Sequence, residues 1–387
     1  MTRRQAARNF FGFLAGSPLC RAFQEPALLA DRLPALEQLV NVMEFENVAR
    51  RNMTRVAYDF IAGGVEDEWT LRRNREGFQK IMLRPRMLVD VSMMDLSLDL
   101  YGSRIEMPIL VAPTATHALA HTEGEVATMR GACAVKTIMA VSSNSSITIE
   151  KVAAAATGPF WFQLYALPDL DATRERVERA VAAGAKVMLF TVDAVYNSKR
   201  ERLQRDRLPG GMNPARERIA ARRAAPRMPY GLSSGYNVTL AWPFLETLKG
   251  WAKIPVLVKG IMTPEDALLA IKHGADGIVV SNHGARYLET APSTIEVLPE
   301  IVDAVDGKFP VLMDGGIRRG IDVLKALAIG AKAVLVGRPP LWGLGAFGSA
   351  GVQRVMEMLQ SELAQSMGLA GKPNLGMLDR SLLRYDR

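Results

Sequence analysis

The chain has 387 residues, 49% of them hydrophobic, and a formal net charge of +8. That length suits one large domain or two modest ones, and 32 glycines without a collagen-like period indicate a globular chain. No apolar run reaches the length of a membrane span, and two isolated cysteines, Cys20 and Cys133, argue against a disulfide framework or a thiolate zinc site.

The amino end is basic (MTRRQAARN), then apolar (FFGFLAGSPL), then rich in small residues (SPLCRA). Residues 1–35 therefore read as a tail with a degenerate twin-arginine export signal, or as a loose or packing segment. The expected location is cytoplasmic, with export or membrane association as the alternative. Spaced apolar positions over residues 36–60 predict amphipathic helices, and AGGVEDEWTLRRN predicts a turn and a short helix. LSLDLYGSRIEMPILVAP reads as a hairpin, turned at YGS, that leads into a buried strand.

From Pro108 onward buried strands alternate with Ala-rich helices. The strands are MPILVAP, TIMAVSS, PFWFQLY, KVMLFTVD, IPVLVKG, DGIVVSN, FPVLMDG and KAVLVGR; the helices include DATRERVERAVAAGA, TPEDALLAIKHGA and GIDVLKALAIGA. Continuously apolar strands with helical crossovers imply a parallel sheet covered on both faces. Eight such units predict an α/β fold of the (β/α)8 barrel type, with N-terminal helices, over residues 36–380. A doubly wound sheet would place a GxGxxG turn after its first strand, and none occurs there.

The crossover after the fourth strand is abnormally long, from about residue 194 to 253. Its Lys199–Arg227 stretch holds ten basic and three acidic residues. Because βα loops carry function on a barrel, the insertion is expected to cover the active site and to allow peripheral membrane contact; for residues 205–230 a disordered insertion is the alternative. The basic balance suits anionic ligands, but no nucleic-acid motif accompanies it, so no nucleic acid is expected. His117 and His121 follow a strand end and a loop, and no metal is expected there.

On a barrel the carboxyl ends of the strands share one face. In chain order they supply Pro113, Thr114 and Ala115; Ser142 and Ser143; Gln163 and Tyr165; Thr191 and Asp193; Lys259; Ser281, His283 and Arg286; Asp314, Gly315, Gly316 and Arg318; and Gly337 and Arg338. A ring of structural ion pairs at the rim explains single members but not the whole set. The glycines of DGGIRRG and VGRP, with a helix starting near Arg318, suit a phosphate. His283 can act as a base oriented by Asp193, and Arg286, with Arg200 after strand four, can clamp a carboxylate. Lys259 supplies fixed positive charge. Together these suit oxidation next to a carboxylate.

With YDFIAGGVEDEWTLRRN, VAPTA, FWFQLY, TVDAVYNSKR, LVKGI, SNHGARYLE and DGGIRRGIDVLKALAIGAKAVLVGRP in place, the chain resembles the FMN-dependent α-hydroxy acid oxidases and dehydrogenases over about residues 38–375. The resemblance implies FMN, a 2-hydroxy acid substrate and a 2-oxo acid product. Oxygen, a quinone or a cytochrome would be the acceptor, and the chain would form a homo-oligomer, a tetramer in the family. It implies that Ala115, Ser142, Gln163, Thr191, Lys259 and Ser281 contact the flavin, in the setting of Pro113 and Thr114. Asp314, Gly315, Gly316, Arg318, Gly337 and Arg338 would hold its ribityl phosphate. Tyr165, Arg200, His283 and Arg286 would face the substrate, with Asp193 behind the histidine; whether His283 takes the Cα proton or the hydroxyl proton stays open.

Two departures stand out. Phe60 sits where many members have a tyrosine that binds the substrate carboxylate, and Asn144 sits where glycolate oxidases have tryptophan. Both lean toward an aromatic or bulky substrate; Ala285 and Tyr287 are milder changes. The rival readings are another FMN barrel, such as a type 2 isopentenyl-diphosphate isomerase, and an inactive flavin-binding protein. The isomerase would not need the Arg200, His283 and Arg286 set.

Overall fold

The computed structural model describes residues 33–205 and 234–386. The export-signal expectation for residues 1–32, and the part of the basic insertion over residues 206–233, lie outside them. Residues up to Val40 form a unit of their own, whose described part holds a short 3-10 turn at Leu36–Gln38. Everything below concerns the unit from Asn41 onward.

Three helices precede the barrel: α1 (Val42–Asn52), α2 (Arg55–Ala62) and α3 (Trp69–Gln79). The first two start where side chains accept orphan amides. Asn41 accepts from Met43 N and Glu44 N, and Thr54 accepts from Ala57 N. Strand β1 (Ile81–Leu83) follows, then the predicted hairpin of β2 (Leu98–Leu100) and β3 (Ser103–Ile105). Its turn places Tyr101 and Gly102 at φ +50° and +74°, as a two-residue hairpin requires.

The eight predicted strands are all present as β4 (Ile109–Val111), β5 (Met139–Ser142), β6 (Phe160–Leu164), β7 (Met188–Thr191), β8 (Val256–Ile261), β9 (Gly277–Val280), β10 (Val311–Asp314) and β11 (Ala333–Val336). They pair in parallel and close on themselves, β11 beside β4. The intervening helices are α4 (Gly124–Ala134), α5 (Ile149–Ala154), α6 (Leu170–Ala182), α7 (Glu201–Arg205), α8 (Phe244–Ala252), α9 (Pro264–Lys272), α10 (Thr294–Val305) and α11 (Gly320–Ile329). The last helix, α12 (Arg338–Leu369), is kinked at Phe347 and Gly348. A final strand, β12 (Leu383–Tyr385), pairs antiparallel with β1.

The interior follows the two-residue period of each strand. Leu110, Ala140, Trp161, Leu189, Leu257, Val279, Leu312 and Leu335 fill it, and Leu98, Leu100 and Ile105 of the hairpin join the same cluster. Two residues further along, six of the eight strands turn polar at their inward positions: Ser142, Gln163, Thr191, Lys259, Ser281 and Asp314. The change from an apolar layer to a polar one places the chemistry at the carboxyl ends of the strands.

Candidate active site

The polar layer is bonded across adjacent strands. Ser142 Oγ donates to Gln163 Oε1 at 3.1 Å, and Gln163 Nε2 donates to Thr191 Oγ1 at 2.9 Å. Lys259 Nζ donates to Ser281 Oγ at 2.8 Å and pairs with Asp314 Oδ2 at 3.0 Å. Burial pulls the Lys259 ammonium down, but Asp314 and Asp193 outweigh it and hold the pKa above its usual value. Removing one partner of this buried pair would leave an uncompensated charge, a loss of about 3–5 kcal/mol.

His283 occupies the centre of the mouth. Its Nδ1 lies 2.7 Å from Asp193 Oδ1 and its Nε2 lies 3.0 Å from Tyr165 Oη. A carboxylate can only accept, so Nδ1 carries the proton, and in the neutral ring Nε2 holds the lone pair. Burial lowers the imidazole pKa and Asp193 opposes that pull, with a net value below 6.5. At Asp193 burial pushes the carboxyl upward, and the contacts with His283 and Lys259 more than reverse it. His283, Gly284 and Ala285 all have positive φ, so the chain curls back sharply after β9.

That curl is fastened at both ends to α3. Asn282 and Asn74 exchange reciprocal amide hydrogen bonds of 2.8 and 3.0 Å. Glu289 accepts from the amides of Trp69 and Thr70 at the helix start, and from Thr70 Oγ1. In between, Ala285 O accepts from Val65 N, and Glu66 N donates to Lys199 O, so the GGVED turn receives both the histidine loop and the start of the insertion. Neither Asn74 nor Glu289 was singled out from sequence, because their roles depend on a long-range pairing that no local pattern displays.

The arginines gather at the carboxyl end of α2. Arg286 Nη1 donates to Phe60 O at 2.8 Å, and Arg338 donates to the carbonyls of Ile61, Gly63 and Gly284, each at 3.0 Å. Carbonyls left over at a helix end are natural acceptors for guanidinium groups. Two cations lie over the Phe60 ring: Arg200 Cζ stands 5.3 Å and Arg286 Cζ 5.2 Å from its centroid. Phe60 thus lacks the expected hydroxyl but gives both predicted clamps a common platform. Burial, then Arg200 and Arg338, hold the Arg286 pKa well below its usual value.

The glycine-rich turn is also a packing joint. Gly315 and Gly316 have φ of +100° and +77°, but a Cβ on Gly316 would meet the Asn74 carbonyl, and one on Gly315 the Thr294 hydroxyl. Close packing against α3 and α10 therefore already requires both glycines. The amides of Arg318 and Arg319 donate to Asp322 Oδ2, and that of Gly320 to Glu362, so the start of α11 is capped by protein carboxylates. Arg75, unnoticed in the sequence, bonds Gly316 O and pairs with Asp322 at 2.7 Å.

FMN fits what remains. Arg318 and Arg338 are half-buried; burial, then Arg338, brings Arg318 to about 9, and burial, with Arg200 and Arg202 adding to it, brings Arg338 to about 10. A pair of partly desolvated guanidiniums matches a phosphate dianion. The Arg318 side chain lies over the Trp342 ring at 4.7 Å, which fixes its plane. Asp314 Oδ1 is buried and accepts no hydrogen bond among the described residues. A carboxylate repels phosphate, so Asp314 suits a ribityl hydroxyl and the two arginines suit the phosphate. Gly337 adjoins Thr114 across β11 and β4, with Pro113 and Ala115 beside it. The Thr114 hydroxyl itself lies 2.6 Å from His117 Nε2, and Thr128 Oγ1 lies 2.9 Å from His117 Nδ1, so this histidine braces the loop.

Residues 49–385 match the model of the FMN-dependent dehydrogenase family. The chain belongs to that family. It is 44% identical to the peroxisomal (S)-2-hydroxyacid oxidase GLO4 of Arabidopsis thaliana over 355 residues, 91% of this chain and 98% of that one. It is also 44% identical to an L-lactate oxidase of Nostoc sp. over 363 residues, 91% of this chain and all of the relative. A solved mandelate oxidase structure superposes with a TM-score of 0.80 at 38% identity, covering 90% of this chain and 99% of the other. The protein is an FMN-dependent enzyme, and the predicted barrel and cofactor both stand.

Proposed function

We propose that the enzyme oxidises a 2-hydroxy acid to the 2-oxo acid, with His283 as the base. The observation that carries this reading is the linear Asp193–His283–Tyr165 array beside two arginines that share the Phe60 platform. Arg286 and Arg200 bind the substrate carboxylate, and Tyr165 Oη orients the hydroxyl against His283 Nε2. His283 takes the proton that leaves the substrate. Asp193 holds the ring in its Nδ1–H tautomer and stabilises the imidazolium that forms. Lys259 brings a buried positive charge to the same mouth, where the low dielectric strengthens it. FMN, when bound, would supply the two-electron acceptor; Ser142, Gln163, Thr191, Lys259 and Ser281 would face it, and Asp314, Arg318, Gly337 and Arg338 would hold its ribityl phosphate chain. A type 2 isopentenyl-diphosphate isomerase has no use for a carboxylate clamp at this position, which disfavours that alternative.

An oxygen- or quinone-type acceptor completes the cycle. A homotetramer in the cytoplasm, with one catalytic barrel over residues 36–380 and a separate tail over 1–35, belongs to the same proposal. No helix among the described residues is long and apolar enough to cross a membrane. The test is anaerobic mixing of the yellow protein with lactate, glycolate and mandelate, followed by admission of oxygen or a quinone analogue. Flavin bleaching by at least one 2-hydroxy acid supports the reading, and bleaching by none contradicts it.

A further inference from the structure

The insertion contributes one side chain to the mouth that the mechanism above does not use. The Tyr236 ring stacks on Tyr165, with centroids 4.3 Å apart and planes 18° from parallel. Asn144 Nδ2 donates to Tyr236 Oη at 2.5 Å, tying the insertion to the loop after β5. The space that a small residue at position 144 was expected to open is therefore occupied by a ring that arrives from elsewhere in the chain.

Beside the two stacked rings lies a partly open, mainly apolar cavity of about 290 Å³. It is lined by Tyr165 and Tyr236 themselves and by Phe190, Val238, Trp242 and Ile261, with Thr191 and Asp266 among its polar members and neither His283 nor Arg286 in its wall. A cavity of this size is close to the roughly 300 Å³ at which small-molecule pockets begin. Tyr165 and Tyr236 are thus the partition between the reacting end of the site and a space able to take an alkyl or aryl chain. Tyr165 is needed beside His283, so Tyr236 is the removable half of the partition.

We propose that Tyr236 is a specificity-determining residue: held by Asn144, it limits the substrate to a short side chain and closes off an apolar cavity that would otherwise accept a long one. This rests on the 2-hydroxy acid reading above. The chemistry at Cα is unchanged, because the carboxylate clamp and the base lie on the other side of the partition.

The experiment compares kcat/KM for lactate and 2-hydroxyoctanoate in the parent, Tyr236→Ala, and Tyr236→Ala combined with Val238→Phe, with FMN content as the check on folding. The ratio favouring the octanoate should rise at least about tenfold in the single variant, the scale on which one methylene is discriminated. It should fall back toward the parent when phenylalanine refills the cavity. If Tyr236→Ala loses FMN, Tyr236→Leu, which also removes the ring, carries the same expectation. An unchanged ratio in a variant whose flavin lactate still reduces overturns the proposal and leaves the activity standing. Reduction of the parent flavin by mandelate but by neither of these acids overturns the proposal alone, and reduction by no 2-hydroxy acid overturns the activity and the proposal with it.

Discussion

Gly260 and Asp193 share one space: a Cβ on Gly260 would lie 2.7 Å from the Cβ of Asp193. Gly260 has φ +114° and sits where the β8–β9 register shifts between Lys259 and Ile261. That irregularity lets Asp193 reach inward to His283 while Lys259 keeps its place in the polar layer. Gly260→Ala should therefore lower stability by about 1–3 kcal/mol, from positive φ alone. It should also slow flavin reduction more than it weakens binding of a carboxylate inhibitor. Urea denaturation and stopped-flow bleaching measure the two effects, and a parental reduction rate would show that the contact does not position Asp193.

Arg286→Lys tests the clamp. Lysine keeps the charge but loses the planar fork and the stacking on Phe60. KM for a 2-hydroxy acid should rise at least tenfold while FMN affinity stays within about threefold, read by steady-state kinetics and by flavin titration. Equal kinetics in the two proteins would remove Arg286 from the substrate.

Phe60→Leu tests the platform. It deletes two cation–ring contacts, each worth about 0.5–2 kcal/mol, so carboxylate inhibitor binding should weaken with little change in FMN content. Phe60→Tyr should tighten the same inhibitor by adding a hydroxyl donor. If leucine binds the inhibitor as the parent does, the ring plays no part in holding the arginines.

Burial keeps the His283 pKa below its ordinary value, and Asp193 pulls against that shift. The neutral ring is the base, so activity is present above the folded-state pKa and is lost as pH falls through it. The acid limb of kcat/KM should lie below about 6.5, the ordinary histidine value. Asp193→Asn removes the upward pull, so the limb should move further to acid while the plateau drops. A limb that moves toward alkaline pH would mean that another group is titrating.

Much of this was legible in the sequence because a barrel strand alternates strictly. With KVMLFTVD as a strand, Thr191 and Asp193 must share a face, and the same rule pairs Gln163 with Tyr165. The eight strands and the barrel follow from continuously apolar runs alternating with Ala-rich helices, and the two-residue period then sorts the strand ends by face. What was not legible depends on distant partners. The fastening of Asn282 by Asn74, the capping of α11 by Asp322 and Glu362, and the stacking of Tyr236 on Tyr165 link residues with no common register. The packing of the DGGIRRG glycines against α3 and α10 was likewise invisible in the sequence.

The central claim is that His283 is the base, and anaerobic stopped-flow reduction of His283→Ala tests it most directly. The variant should keep its yellow flavin and bind a carboxylate inhibitor, since Arg286, Arg200 and the phosphate arginines are untouched. Its reduction by a 2-hydroxy acid should be slower than the parent's by about a hundredfold to ten-thousandfold. Reduction at the parental rate would assign the proton to another residue and contradict the account.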